Sequence, residues 1–227
     1  MCGPINLYRV RMSRVGDAHG WFGYMTARGD RPERRNPALP QTGMRLLDRY
    51  LPTYQFSETH ACRVAAEPAS ILDSVVAYRP DPDRFFRFMI GLRELPMRLL
   101  HEPEATWAPF GFHEFTVLDR SETEIVYGLI GRFWRPDFGL EPINDGDAFL
   151  AFDAPQAAKL ALAFTAQRDP DGRTRLIAET RVSCASRAAC LKFTPYWLLI
   201  RPVSGLVRRR SLASIKSASE RTARGQT

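Results

Sequence analysis

Glu58 and His60 stand two positions apart in Phe56-Ser57-Glu58-Thr59-His60-Ala61-Cys62-Arg63-Val64. On an extended strand, residues i and i+2 share a face. A carboxylate beside an imidazole can then move protons near neutral pH. Phe56, Cys62 and Val64 fall on the same face, so the plainer reading is a structural histidine satisfied within an apolar wall. His113, in step with Phe115 and Val117, has the same two readings. Arg132 and Trp134 share a strand face with Val126 and Ile130. A guanidinium fork suits a carboxylate or phosphate, and an indole offers a stacking face. The plainer reading is an edge arginine in solvent and a core tryptophan.

Glu179 and Arg181 alternate with Leu176, Ala178, Thr180 and Val182. The apolar set belongs inside, which puts the charged pair outside, where an i, i+2 pair adds little stability. Facing inward instead, the two would form a buried network with Arg201, costly unless fully paired. Tyr127 lies between these segments, and Tyr196 and Trp197 begin the last helix, where core packing is the plainer reading. The candidate ligand-binding residues are therefore His60, His113, Tyr127, Arg132, Trp134, Glu179, Arg181 and Tyr196.

The familiar catalytic signatures G-x-G-x-x-G, P-loop, H-E-x-x-H and G-x-S-x-G do not occur. No metal site and no cofactor are expected. Cys2, Cys62, Cys184 and Cys190 form no C-x-x-C pair and no zinc-like cluster with histidine. Free thiols in a reducing compartment are expected, with a Cys184–Cys190 bridge left open by the spacing.

The elements that must position these groups come from an ordinary globular composition: 227 residues, 44% hydrophobic and 25% charged. No apolar run reaches the ~18 residues of a membrane span. Arg9, Arg11 and Arg14 stand where a signal peptide would be apolar, so a cytoplasmic location is expected. The net charge of +7 sits in the ends: residues 1–50 carry +5, 201–227 carry +6, and the middle −4. Basic ends without an interleaved stacking platform argue against nucleic-acid binding.

Residues 1–43 show neither helical nor strand periodicity and are expected to form a flexible extension. A folded domain is expected over 44–219, with a disordered tail at 220–227. Alternation predicts strands at about 54–65, Phe112–Asp119, Ile125–Trp134, Ala157–Arg168 and Arg173–Cys184. Asp169-Pro170-Asp171-Gly172 is a turn sequence. One helix opens at Glu67-Pro68 and ends before Arg79-Pro80. A second carries Phe85, Phe86, Met89 and Ile90, and Asp147–Phe152 is a helical turn. A long helix runs from Arg187 to about Ser219, with Pro195 and Pro202 arguing for a bend or a late start. Its end is basic at Arg208, Arg209 and Arg210, which suits either an anionic membrane surface or a solvated helix terminus. This order of elements predicts an α+β fold, with an antiparallel sheet packed on the terminal helix.

Three segments carry a resemblance: Gly128-Leu129-Ile130-Gly131-Arg132-Phe133-Trp134-Arg135-Pro136, Ala178-Glu179-Thr180-Arg181-Val182, and Tyr196-Trp197-Leu198-Leu199-Ile200-Arg201-Pro202-Val203-Ser204-Gly205-Leu206-Val207-Arg208. Over roughly 44–219 the chain resembles the START-like (SRPBCC) superfamily, and within it an uncharacterised bacterial group, from whose pattern Ala178 departs where threonine is usual. The resemblance implies a helix-grip fold, a curved sheet around a C-terminal helix with an internal cavity. It implies binding of a hydrophobic or amphipathic small molecule, such as a lipid or polyketide. A cyclase or dehydratase using a cavity His/Glu pair is the second expectation, and a lipid-transfer or membrane-contacting protein the third. A non-catalytic binding protein is the first reading, because no catalytic constellation stands out.

Overall fold

A computed structural model describes residues 44–78, 114–135 and 137–225. His113, the helix expected around Phe85–Ile90 and the extension 1–43 lie outside the described residues. The elements in chain order are α1 (Leu46–Tyr50), β1 (Phe56–Val64), α2 (Pro68–Ala77), β2 (Thr116–Arg120), β3 (Glu124–Gly131), α3 (Gly146–Ala151), β4 (Ala158–Arg168), β5 (Thr174–Cys184) and α4 (Arg187–Gly225).

The five strands form one antiparallel sheet in the order β1-β5-β4-β3-β2. Strand alternation decides its two faces. One face carries Cys62, Val64, Leu176, Ala178, Leu162 and Phe164 and packs on α2 and the C-terminal part of α4 through Ile71, Leu72, Leu212 and Ile215. Further along the same face, Leu129, Val182 and Cys184 meet the N-terminal part of α4 through Phe193, Trp197 and Ile200. The opposite face is built from small and branched residues, Val126, Ile130, Ala161 and Ala163, and is covered by α1 and α3 through Leu47, Tyr50 and Phe149. The molecule is therefore three layers deep, and both faces of the sheet are used.

Local chemistry explains the element ends. Pro68 opens α2, where its missing N–H costs nothing, and Tyr78 turns extended one residue before Arg79-Pro80. Asp145 caps α3 by accepting the Ala148 N–H at 2.8 Å. Ser186 accepts the Ala189 N–H at 3.2 Å and caps α4. α1 has five residues and no side-chain cap of its own. A helix that short does not form alone. Glu124 of the neighbouring sheet supplies the cap, accepting the Leu46 N–H at 2.7 Å.

Two expectations change here. α4 is continuous across Pro195 and Pro202 and runs on to Gly225, past the stop expected near Ser219. Both prolines lie on the solvent side of the helix. The ladder bonds they remove would have ended on the carbonyls of Leu191 and Leu198, whose side chains are also exposed. Water can serve such carbonyls, which lowers the cost of an interior proline. Secondly, β3 stops at Gly131, not at Trp134. A β-carbon at Gly131 would stand 2.8 Å from the Phe138 carbonyl oxygen, and the returning chain holds Phe138 and Gly139 at φ 56° and 44°. The chain turns because 131 is bare, and alternation no longer governs Arg132 and Trp134.

Candidate functional site

The helix-facing side of the sheet holds two apolar clusters with a polar band between them. Backbone register puts Glu58 opposite Thr180, Thr180 opposite Leu162, and Leu162 opposite Tyr127, so these four form one row across four strands. His60 stands in the next row, opposite Ala178. Glu58 and His60 lie 2.7 Å apart, Oε1 to Nε2, and each side chain is 11% exposed. An ionised carboxylate only accepts, so Nε2 carries the proton of this bond, and in the uncharged ring Nδ1 keeps the basic lone pair. Gly205 of α4 closes over the pair: a β-carbon there would meet Glu58 Oε1 at 2.9 Å and His60 Cε1 at 3.5 Å. Arg201 and Arg208, four residues before and three after Gly205, flank it at helical spacing. The Thr180 side chain is buried, and its hydroxyl has no hydrogen-bond partner. Such an orphan usually costs about 1–3 kcal/mol.

The other candidates fall in different places. Tyr127 belongs to the same row and meets Phe164 edge-on, ring centroids 6.2 Å apart. Tyr196 is buried beside Phe193 in the second apolar cluster. Trp134 meets Phe193 edge-on at 6.5 Å, while Arg132 bonds Glu141 at 3.1 Å. The expected shared face of Arg132 and Trp134 is lost to the turn after Gly131.

Glu179 and Arg181 lie on the opposite face, away from α4, as the apolar alternation requires. They are nonetheless buried, because α1 covers them. Arg181 Nε donates to Glu179 at 2.8 Å, and its Nη1 donates to Asp48 at 2.6 Å and to the Leu51 carbonyl at 3.1 Å. The guanidinium also lies 4.6 Å over the Tyr54 ring. Glu179 accepts from Arg45 at 3.0 Å, and Arg45 reaches Glu124 at 3.5 Å. Burial works against the Arg181 charge, but Glu179 and then Asp48 outweigh it and raise its pKa above the ordinary value. The expected surface pair of little value is a buried network that fastens α1 to the sheet. It involves Asp48, Arg45 and Glu124, not Arg201.

Thr180 and Gly205 were not among the sequence candidates. Its place in step with Ala178 and Val182 is the signal for Thr180. Gly205 gave none, since its use depends on which residue the helix passes over. A shallow cleft of about 170 Å³ lies elsewhere, between Phe152, Lys159 and Ser183. Burial lowers the pKa of its Lys159, whose Nζ donates to the Leu150 carbonyl at 3.1 Å. Among the described residues, no group of His, Cys, Asp and Glu could hold a metal ion.

Comparison with protein-family models gives no match, and comparison with curated proteins gives none either. Among solved structures, the crystal structure of hypothetical protein jhp0584 from Helicobacter pylori matches at a TM-score of 0.30 and 10% identity, over 80% of this chain and 99% of that one. A likeness at that level carries no argument about either molecule's function.

Proposed function

We propose that the chain binds an amphipathic small molecule between the sheet and α4, in a helix-grip arrangement, with its polar group at Glu58, His60 and Thr180 and its apolar body along the flanking clusters. The supporting observation is the polar band itself. A hydrogen-bonded acid–imidazole pair and an unpartnered buried hydroxyl stand between the apolar clusters of this face, where Gly205 of the helix passes directly above the pair. A purely structural core gains from replacing such groups with aliphatic ones, so their presence argues for a use. Pockets that are mostly apolar with a few convergent polar groups are the usual form of small-molecule sites.

The test has two arms. Protein purified under native conditions is extracted with organic solvent and the extract analysed by mass spectrometry. In parallel, native protein is titrated with an anilinonaphthalene sulfonate. A co-purifying amphiphile, or a fluorescence gain weakened by Glu58→Gln and Thr180→Val, supports the reading. An empty extract with no gain, or a gain that ignores both substitutions, ends it.

The 2.7 Å Glu58–His60 bond favours one alternative, a cyclase- or dehydratase-type reaction in which Nδ1 of His60 exchanges the proton and Glu58 holds the ring. Ligand extracted from His60→Gln protein would then differ from ligand extracted from the unaltered chain, by one water in mass where the step is a dehydration, and in chromatographic retention and fragmentation where it is a ring closure that keeps the water. Identical mass, retention and fragmentation leave the binding function alone.

A further inference from the structure

The solvent side of α4 carries a continuous apolar stripe. Leu191 and Leu198 expose 75% and 63% of their surface, and Leu206 continues the line at 40%. Pro195 and Pro202, also exposed, fill the turns between them. The spacing of 4, 3, 4 and 4 residues keeps these five on one side of the helix over about 22 Å. Single exposed leucines need no explanation, but a continuous strip points to a partner.

Charge identifies the partner's chemistry. From Arg187 through Ser219 the helix has seven basic residues and no acid; its first acid is Glu220. Arg187 and Lys192 stand at one end of the stripe and Arg209 and Arg210 at the other, all exposed. A second copy of this helix would set cations against cations in either orientation. Nucleic acid would suit the cations but leave the leucines without apolar contact. An anionic bilayer offers both, acyl chains for the leucines and phosphates at the level of the arginines and lysine.

We infer that α4 docks lengthwise on an anionic membrane surface through Leu191, Leu198 and Leu206, with the flanking cations at the headgroups. The helix lies in the interface and does not span: among the described residues, no helix is long and apolar enough to cross a membrane. The inference stands apart from the proposed ligand site, which lies on the inner side of the same helix.

Vesicle flotation tests it on the full chain. The chain floats with phosphatidylcholine vesicles containing phosphatidylserine, and high salt weakens this. Leu191→Ser with Leu198→Ser, and separately Lys192→Glu with Arg209→Glu, each lower binding at least about tenfold. All four positions are exposed, so circular dichroism and Tm stay unchanged. The ligand response described above also survives both pairs, which separates the two proposals. Binding that ignores the lipid charge, or that survives both double substitutions, overturns the inference. So does a concentration-dependent dimer abolished by the serine pair, or a polarity-sensitive probe on Leu198→Cys that reports a buried environment without vesicles.

Discussion

Gly205 lies against Glu58 so closely that a single methyl group would have to displace the carboxylate from its 2.7 Å bond with His60. The relation joins the middle of a 39-residue helix to the first strand of the sheet. It also separates the effects of the site on stability from its effects on function.

Gly205→Ala tests that relation. Alanine is better than glycine in a helix interior by about 1 kcal/mol. Against this stands a contact with the far end of a flexible side chain, which can swing aside, and the loss of a hydrogen bond to a charged group, about 1.5–3 kcal/mol. These oppose each other, so Tm moves little. The His60 ring signals in the NMR spectrum move as the 2.7 Å bond is lost, and amphiphile binding falls severalfold. A large loss of Tm with unchanged ring signals would mean that backbone, not Glu58, takes up the strain.

Thr180→Val replaces a buried, unpartnered hydroxyl with a methyl group of similar shape. Without ligand the protein gains about 1 kcal/mol, which is roughly 2–4 °C in Tm for a domain of this size. Ligand affinity drops at the same time. A loss of stability would show that the hydroxyl has a partner in solution, an ordered water for instance.

How much of this was legible in the sequence follows from the range of each interaction. The strands were, because alternation is local: Ala157–Arg168 was expected and Ala158–Arg168 is found, and the Asp169–Gly172 turn joins it to β5. Glu58 and His60 were paired for the same reason. α1 was not legible, since its cap, Glu124, comes from 78 residues away. The burial of Arg181 was hidden with it, because alternation shows which face a residue takes and not what covers that face. Trp134 was misplaced by a turn that depends on Gly131 meeting Phe138.

Cys184 gives a pH dependence. Burial, then the neighbouring Cys190, pushes its pKa from the ordinary value of 9.0 up to about 12. The folded state therefore holds this proton more tightly than the unfolded chain does. Its stabilising effect is complete below about pH 9 and is lost as pH climbs toward about 12. Urea midpoints measured from pH 8 upward should decline across that window. Alkylation at pH 8 with peptide mapping should label half-buried Cys190 well before Cys184. Rapid labelling of Cys184 in native buffer would contradict its burial.

Arg181→Met removes the cation that Glu179, Asp48 and the Leu51 carbonyl share. Breaking a buried pair by deleting one partner usually costs about 3–5 kcal/mol. The lower end applies, because Glu179 keeps Arg45 and Asp48 is 42% exposed to water. That corresponds to roughly 6–12 °C in Tm. Lysine does not rescue it, since one ammonium cannot serve two carboxylates and a carbonyl while lying flat on Tyr54. Adding Glu179→Leu to Arg181→Met recovers part of the loss, because the uncompensated buried carboxylate goes with it. Amphiphile binding at 37 °C falls only as far as the folded fraction does, for this network lies on the face of the sheet that α4 never touches. If Arg181→Met abolished binding while leaving Tm intact, the ligand would have to sit under α1, and the assignment of the site to Glu58, His60 and Thr180 would be wrong.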